Sequence, residues 1–227
     1  MKPIKISLLA AVIFAISGCS AHKYQLADRE RIEWTDVWLP NSTDAKLPRV
    51  LLIRNSITKA YYPAVAKLLD GKAYVCKLAT SQFLSDPMLL STLKNVLDHY
   101  HFDVIHFNNG MHGWQHSEQE YRLAFKKYIS LIRKHAPGAK LIWAKTTPLK
   151  VNPHISPGDP IATDERIIER NNIAQAFISG TNIETDDLFT PMYGHPEYHT
   201  DNVHFNAGAQ AVQAAQVAAI IEKALPR

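Results

Sequence analysis

Residues 49–58 read Arg-Val-Leu-Leu-Ile-Arg-Asn-Ser-Ile-Thr, and this stretch decides which kind of fold the sequence predicts. The apolar run from Val50 to Ile53 is unbroken, which is typical of a strand buried on both faces of a parallel sheet. The run ends at Arg54, so Asn55 and Ser56 follow at the carboxyl edge of the sheet, where open α/β folds bind ligands. Ser56 is therefore either an exposed, reactive hydroxyl or only a cap of the turn or helix that follows.

Apolar runs of strand length alternate with longer helical patterns over the rest of the chain. The predicted strands are Val50–Ile53, Ala73–Leu78, Val104–Phe107, Leu141–Lys145 and Asn182–Glu184. The predicted helices are Ala60–Leu69, Pro87–Tyr100, Ser117–His135, Asp164–Ile178 and Ala207–Ala224. The alternation predicts an α/β three-layer sandwich, with a central parallel sheet of about five strands and helices on both faces.

Local signals support two helix starts and one long loop. Ser117 and Glu120 have the spacing of a capping box, and Asn206 is placed to cap the last helix. The segment Pro148–Thr163 contains four prolines and no periodicity. It follows the fourth predicted strand, so we expect a loop at the same edge of the sheet as Ser56, where it would shape a substrate pocket.

The first residues have the pattern of an export signal. Lys2 and Lys5 precede an apolar run that is too short to span a bilayer, as in a signal peptide. The run ends in Ile16-Ser17-Gly18-Cys19, which resembles the lipobox of bacterial lipoproteins, whose cysteine is lipidated. An ordinary signal peptide with a chance cysteine is the alternative. We therefore expect a signal peptide over residues 1–18, a tether and approach segment over 19–46, and a folded domain over 47–227.

The resemblance to lipoproteins implies a bacterial cell envelope protein held by a lipid on Cys19. Ser20 follows this cysteine, and the absence of an aspartate there favours the outer membrane. Cys76 is the other cysteine and lies in an apolar stretch, which favours a buried, inert thiol.

Composition limits the partners of the folded part. The formal charge of +4 includes Lys2 and Lys5, and no basic run stands out, so nucleic acid is not implied. About 210 residues remain after the signal peptide, which suits one compact domain. We expect a monomer that needs no cofactor.

A second set of reactive residues, Asp201-Asn202-Val203-His204, lies just before the last predicted helix. A nucleophilic serine needs a base to take its proton, and the base needs a carboxylate to fix its tautomer. An aspartate three residues before a histidine supplies both. With Ser56 earlier in the chain, these residues predict a catalytic triad of Ser56, Asp201 and His204.

A third set, Phe107-Asn108-Asn109-Gly110-Met111-His112-Gly113-Trp114, follows the third predicted strand. Asn108, Asn109 and His112 offer hydrogen-bond donors beside Ser56. Acyl transfer requires such donors, because negative charge builds on the carbonyl oxygen in the transition state. The alternative is that the asparagines only close a turn.

Together these three sets resemble the SGNH hydrolase superfamily, also called GDSL-like esterases, whose fold is flavodoxin-like. The resemblance covers most of the chain from Arg49 to Ala224. The family's Gly-Asp-Ser block is matched by Arg54-Asn55-Ser56, and its Asp-x-x-His block by Asp201 and His204. The resemblance implies that Ser56 is the nucleophile, His204 the base and Asp201 its orienting carboxylate.

The same resemblance implies an oxyanion hole. Ser56 would supply its backbone N–H, and Ala79, after the second predicted strand, a second one. The family's Gly-x-Asn-Asp block is matched by Gly110-Met111-His112-Gly113 only in its glycine, and His112 stands where the oxyanion asparagine would be.

Further residues are candidates for substrate binding or for structure. The candidates for substrate binding are Arg54, Asn55, Asn108, Asn109 and Trp114. Arg54 would recognise an anionic group or pair with an acid such as Asp86 or Asp103. Two histidine pairs, 112 with 116 and 195 with 199, have a spacing that could share a metal, but neither a His-Glu-x-x-His motif nor a carboxylate at metal spacing accompanies them, so we expect no metal site.

The sequence therefore predicts a serine esterase that hydrolyses short acyl esters. The resemblance implies small acyl groups, and a surface anchor suggests acetyl esters of a carbohydrate. The main alternative is a catalytically weak or inactive module that binds glycans at the cell surface. A lipid esterase and a metal-dependent hydrolase are further alternatives.

Overall fold

The computed structural model of the protein describes residues 29–151 and 162–226. The predicted signal peptide, Cys19 and most of the proline-rich loop lie outside the described residues.

Strands and helices alternate along the described chain. The strands are β1 (Thr35–Trp38), β2 (Arg49–Arg54), β3 (Tyr74–Thr80), β4 (Val104–Phe107), β5 (Lys140–Ala144) and β6 (Glu184–Asp186). The helices are α1 (Ser56–Leu68), α2 (Pro87–His99), α3 (Glu118–His135), α4 (Asp164–Ile178) and α5 (Ala207–Ala224), with a short 3₁₀ turn at Pro196–Tyr198.

The strands form one sheet in the order β1-β3-β2-β4-β5-β6. Strands β2 to β6 pair in parallel, and β1 pairs antiparallel with β3 at the edge. Parallel strands need crossover connections, and the helices supply them. The predicted α/β fold with a central sheet and helices on both faces is confirmed. The sheet has six strands, and the strand that the sequence analysis missed is β1.

Strand β2 shows why both faces of the sheet are apolar. Val50 and Leu52 pack on one face with α1 and α5, whereas Leu51 and Ile53 pack on the other face with α2, α3 and α4. Successive side chains of a strand point to opposite faces, so a strand covered on both sides reads as a continuous apolar run. Burial on both faces therefore fixes the position of β2 at the centre of the molecule.

Most element boundaries agree with the sequence analysis, with two informative differences. Helix α1 begins at Ser56 rather than at the predicted Ala60, because the Asn55 side chain caps it. Strand β3 runs on to Thr80, because it also pairs with β1, which the sequence analysis had included in the approach segment. The predicted Ser117–Glu120 capping box and the Asn206 cap are both present.

No helix in the part of the chain that the structure describes has the length and apolar character needed to cross a membrane.

Candidate active site

The junction between β2 and α1 presents Ser56 at the carboxyl edge of the sheet. Asn55 Oδ1 accepts a hydrogen bond from Ile57 N–H at 3.1 Å, which starts the helix at Ser56. The first N–H groups of a helix have no intrahelical acceptor, so Ser56 N–H, at the start of α1, is not used within the helix. The positive end of the helix dipole lies at the same place and favours negative charge there.

This geometry gives Asn55 a different role from the predicted one. Its side chain is buried at 1% exposure and serves as the cap of α1. The prediction that Asn55 contacts substrate is therefore wrong.

Asp201 and His204 lie on one turn before α5. His204 Nδ1 is 2.7 Å from Asp201 Oδ2, and His204 Nε2 is 2.8 Å from Ser56 Oγ. A carboxylate only accepts hydrogen bonds, so Nδ1 carries the proton, and Nε2 is left to accept from the serine hydroxyl. The structure thus brings the three predicted triad residues into one hydrogen-bonded chain.

The surroundings of Asp201 favour its negatively charged form. Burial by itself raises the pKa of this carboxyl, but hydrogen bonds from the N–H groups of His204 and Val203 and from the His204 ring lower the pKa to about 2. Both N–H groups donate to Oδ1, at 2.7 and 2.8 Å. Asp201 is therefore an anion at any pH at which the protein would work, and it favours a positive charge on His204.

Asn202, inside the same turn, attaches the triad to the segment after β5. Its carbonyl accepts from Lys150 N–H at 3.0 Å, and its side chain exchanges two hydrogen bonds with the backbone of Val151, at 2.8 and 3.0 Å. The sequence analysis did not single out Asn202. Its partners are about 50 residues away, and nothing in the local sequence indicates such a contact.

The segment after β4 lies directly beside the serine. Phe107 pairs with Ile53, and Asn108 N–H donates to Ile53 O at 2.9 Å. Asn109 and Gly110 therefore leave the sheet at the same carboxyl edge as Asn55 and Ser56. A Cβ on Gly110 would lie 2.1 Å from Thr146 Oγ1, so the chain can pass here only as glycine unless Thr146 moves.

Two of the predicted substrate contacts are interior residues. Arg54 is 1% exposed and donates to Tyr61 Oη and Lys145 O, each at 3.3 Å. Asn108 is fully buried and closes the turn after β4, where it bonds to Thr146 Oγ1 and accepts from Gly110 N–H. Neither side chain has surface to offer a substrate, so both predictions are corrected, as is the predicted pairing of Arg54 with Asp86 or Asp103.

The predictions that Ala79 and His112 donate to the oxyanion are also corrected. Ala79 lies within β3, between β1 and β2, and not in the turn after the strand. His112 Nδ1 is 2.9 Å from Glu30 Oε1, and its Nε2 is buried with no hydrogen-bond partner among the residues described. His112 therefore presents no donor to a substrate in this structure.

Asn109 and Trp114 remain candidates. Asn109 is also buried, at 3% exposure, but its amide is only partly hydrogen-bonded: Nδ2 donates to Gln82 O at 2.7 Å, and Oδ1 has no partner among the described residues. Trp114 is half-buried, and its ring lies 4.3 Å from the guanidinium carbon of Arg170.

The histidines that have metal-like spacing have other contacts. His116 stacks on Phe83 at 4.2 Å, and His195 contacts Glu197 and the Tyr198 ring. His199 packs against Phe205. Over residues 29–151 and 162–226, no group of three or more His, Cys, Asp or Glu side chains is arranged to hold a metal ion.

Comparison of the sequence with models of known families and with curated proteins gives no match. Solved structures, in contrast, share the fold. A proposed acylhydrolase from Bacteroides fragilis is 16% identical over 79% of this chain and 89% of its own, with a TM-score of 0.64. A family 3 carbohydrate esterase from Talaromyces cellulolyticus is 12% identical over 78% of this chain and 97% of its own, with a TM-score of 0.61.

A third similar structure is a proposed SGNH hydrolase from Slackia heliotrinireducens. It is 17% identical over 78% of this chain and 100% of its own, with a TM-score of 0.61. At these identities the likeness establishes the fold. The chain therefore has the fold of the SGNH hydrolases, as its sequence motifs indicated.

Proposed function

We propose that the protein is a serine esterase that hydrolyses short acyl esters, with acetyl esters of carbohydrates as the substrate class. The observation that carries the proposal is the chain of hydrogen bonds from Ser56 Oγ through His204 to Asp201, at 2.8 and 2.7 Å. Ser56 is 148 residues away from the turn that carries Asp201 and His204, and a binding module would have no need of this alignment. The fold shared with acylhydrolases supports the same reaction class.

The reaction proceeds in two halves. Ser56 Oγ attacks the ester carbonyl carbon while His204 Nε2 takes its proton, and the imidazolium so formed is stabilised by Asp201. The tetrahedral intermediate then expels the alcohol, which takes the proton from His204 and leaves an acyl group on Ser56. Water attacks this acyl-enzyme, again with His204 as base, and releases the carboxylic acid and the free serine.

The oxyanion hole combines a backbone donor and a side-chain donor. Ser56 N–H lies at the start of α1, where it has no intrahelical acceptor. We assign Asn109 as the second donor, because it follows β4, which pairs with the strand that leads to Ser56, and its amide uses one of its two N–H groups on Gln82 O. With Ala79 and His112 committed elsewhere, these groups are the ones we assign to the developing oxygen charge.

A polymeric or bulky ester suits the surroundings of the triad. The side chains of His204 and Asp201 are 42% and 58% exposed, so the reacting atoms are accessible from the surface. The connection from β6 to α5, which carries both residues, also carries an aromatic stack of Tyr193 on Phe189, with Tyr193 54% exposed. An exposed aromatic face on the same connection as His204 and Asp201 would suit a sugar ring.

We also propose, from the sequence alone, that Cys19 carries a lipid that holds the enzyme at the bacterial outer membrane. The substrate would then be an acylated polymer of the cell envelope or its surroundings.

The test measures hydrolysis of a chromogenic acetate ester by the wild type and by three variants. Ser56→Ala and His204→Ala are expected to lower kcat by at least about 10,000-fold, and Asp201→Asn by roughly 100- to 10,000-fold, because it favours the wrong tautomer of His204. A serine-directed sulfonyl fluoride should label Ser56 in the wild type, as mass spectrometry of the digest would show.

Equal rates in all four proteins, on acyl chains of several lengths and without labelling of Ser56, would refute the esterase. Glycan binding by a catalytically inactive protein would then be the function to pursue.

A further inference from the structure

The connection from β4 to α3, residues 108–117, is irregular in structure and passes beside Ser56. Hydrogen bonds within regular secondary structure do not hold such a segment, so its shape depends on other groups. We call residues 110–116 the site loop. Three charged side chains that lie far away in the sequence bind its backbone: Arg170 and Arg166 bind its carbonyl groups, and Glu30 binds the Gly113 N–H.

Arg170, on α4, binds the carbonyl side of the site loop. Its Nη1 donates to Gly110 O and His112 O, at 3.1 and 2.8 Å, and its Nη2 donates to Gly113 O and His116 O, at 3.0 and 3.4 Å. The remaining donor, Nε, lies 3.3 Å from Glu118 Oε1. A guanidinium has five N–H donors in a rigid fork, so every donor of Arg170 is used.

The position of Arg170 is specific to arginine. Its side chain is fully buried, with the Trp114 ring 4.3 Å and the Tyr121 ring 5.1 Å from the guanidinium carbon. Burial lowers the pKa of Arg170 to about 10, which leaves it protonated at neutral pH. A lysine would keep the charge but has three donors on one atom, so it cannot reach carbonyls spread over seven residues.

Glu30 binds the opposite, N–H side of the site loop. Its Oε1 accepts from Gly113 N–H at 3.2 Å and lies 2.9 Å from His112 Nδ1. The segment that carries Glu30 is itself attached beside β3, where Trp34 N–H donates to Ser81 Oγ at 3.0 Å. The site loop is thus held between the Arg170 cation on four of its carbonyl groups and the Glu30 anion on the Gly113 N–H and the His112 ring.

We propose that Arg170 and Glu30 are positioning residues that hold the site loop in the shape that aligns Asn109 with the carbonyl oxygen of the substrate. The inference rests on the proposed esterase function and adds two residues to it, one from α4 and one from the segment before β1. Asn109 directly precedes the site loop, so a change in the backbone at Gly110 would displace its amide, which is bound to Gln82 O. A small misplacement of such a donor reduces catalysis without abolishing binding.

The experiment compares Arg170→Lys and Glu30→Gln with two matched controls. Arg49→Lys alters another buried arginine that donates to backbone carbonyls, those of Pro40, Asn41 and Asp44, but at the opposite edge of the sheet. Glu33→Gln makes the same change as Glu30→Gln in the same segment, at a residue that pairs with Arg29. Each protein is assayed for kcat, KM, thermal midpoint and the rate of Ser56 labelling by a sulfonyl fluoride.

We expect Arg170→Lys to lower kcat by about 100-fold, which is close to the effect of removing one oxyanion donor. Glu30→Gln should lower kcat by about tenfold. KM should change by less than about threefold in both, and Ser56 labelling should slow in parallel with kcat. Both controls should keep the wild-type kcat, even where the thermal midpoint falls. A merely structural role would lower the thermal midpoint and leave kcat per folded molecule unchanged.

The outcomes separate this inference from the function on which it rests. An active wild type with unchanged kcat in both site-loop variants overturns the positioning role and leaves the esterase intact. A wild type that neither turns over esters nor labels at Ser56 overturns both. If Arg170→Lys does not fold, the Glu30→Gln and Glu33→Gln pair decides, because these exchanges preserve side-chain shape and lie in a partly exposed segment.

Discussion

At the scale of single residues, Gly113 shows how closely the surroundings of the site are packed. Its φ of +72° is in the left-handed region, and a Cβ there would lie 2.2 Å from Cδ2 of Phe83. Phe83 in turn stacks on His116, so its ring has little freedom to move away. Gly113 is therefore required both for its backbone conformation and for the space that it leaves.

Gly113→Ala should destabilise the protein by about 3 kcal/mol, as the sum of a left-handed alanine and a displaced ring. Gly71→Ala is the matched control, because Gly71 has a φ of +70° and no heavy atom within 4 Å of the added Cβ. It should cost only about 1 kcal/mol. Urea unfolding measures the loss of unfolding free energy in the two variants. Equal losses would show that the Phe83 ring moves aside without cost.

At the scale of elements, the edge strand β1 is attached by a charged contact as well as by the β-ladder. Lys77, on β3, is largely buried, and its ammonium is 2.8 Å from Asp36 Oδ2 and 5.0 Å from the Tyr62 ring centre. The hydrogen bond from Lys77 is the main reason that the pKa of Asp36 lies below its usual range. Removing the carboxylate would leave a buried ammonium without its anionic partner.

Asp36→Asn should therefore loosen β1 selectively. We expect the β1 amides to exchange with deuterium about tenfold faster, whereas amides of β2 keep their wild-type protection, because opening an edge strand leaves the core intact. Glu222→Gln is the control, since its ion pair with Lys72 is about half exposed on both sides and such pairs contribute little. Uniform acceleration in β1 and β2 would mean that the strand opens only with the whole sheet.

At the scale of the whole molecule, a buried hydrogen bond between a histidine and a carboxylate joins strands that are not neighbours. His106 Nε2, on β4, lies 2.8 Å from Asp186 Oδ2 at the end of β6, and β5 runs between these strands. Gln216, on α5, donates to the other oxygen of Asp186 at 2.6 Å. The carboxylate therefore connects the edge strand β6 to the central strand β4 and to helix α5.

Asp186→Asn should lower the free energy of unfolding at pH 7 by about 3 kcal/mol and flatten its dependence on pH in acid. Burial raises the pKa of Asp186, but the hydrogen bond and charge of His106 outweigh this and lower it. A carboxyl whose pKa is lowered by folding stabilises the protein above its unfolded value of about 3.9 and loses this contribution as the pH falls through the lower, folded value.

Urea unfolding at several pH values between 7 and 2 measures this effect. The wild type should lose stability below about pH 4 more steeply than Asp186→Asn. The exposed Asp70→Asn should follow the wild type. If the unfolding free energies of the wild type and Asp186→Asn change with pH in parallel, folding does not lower the pKa of Asp186.

The sequence alone predicted the central sheet and the triad residues, because both produce local patterns. A strand covered on both faces reads as the apolar run Val50–Ile53, and a base with its carboxylate on one turn reads as Asp201 and His204, three residues apart. The cap that Asn55 provides for α1 is also a local feature. The sequence did not reveal it, because a polar residue after a strand looks the same in the sequence whether it binds a ligand or caps a helix.

The tertiary structure decided what surrounds the triad. Glu30 reaches His112 across 82 residues, and Arg170 reaches it across 58. The edge strand β1 extends β3 through Thr80 and so removes Ala79 from the turn in which it was expected. These contacts depend on which segments the fold brings side by side, and hydrogen bonds between distant residues leave no periodic signal in the sequence.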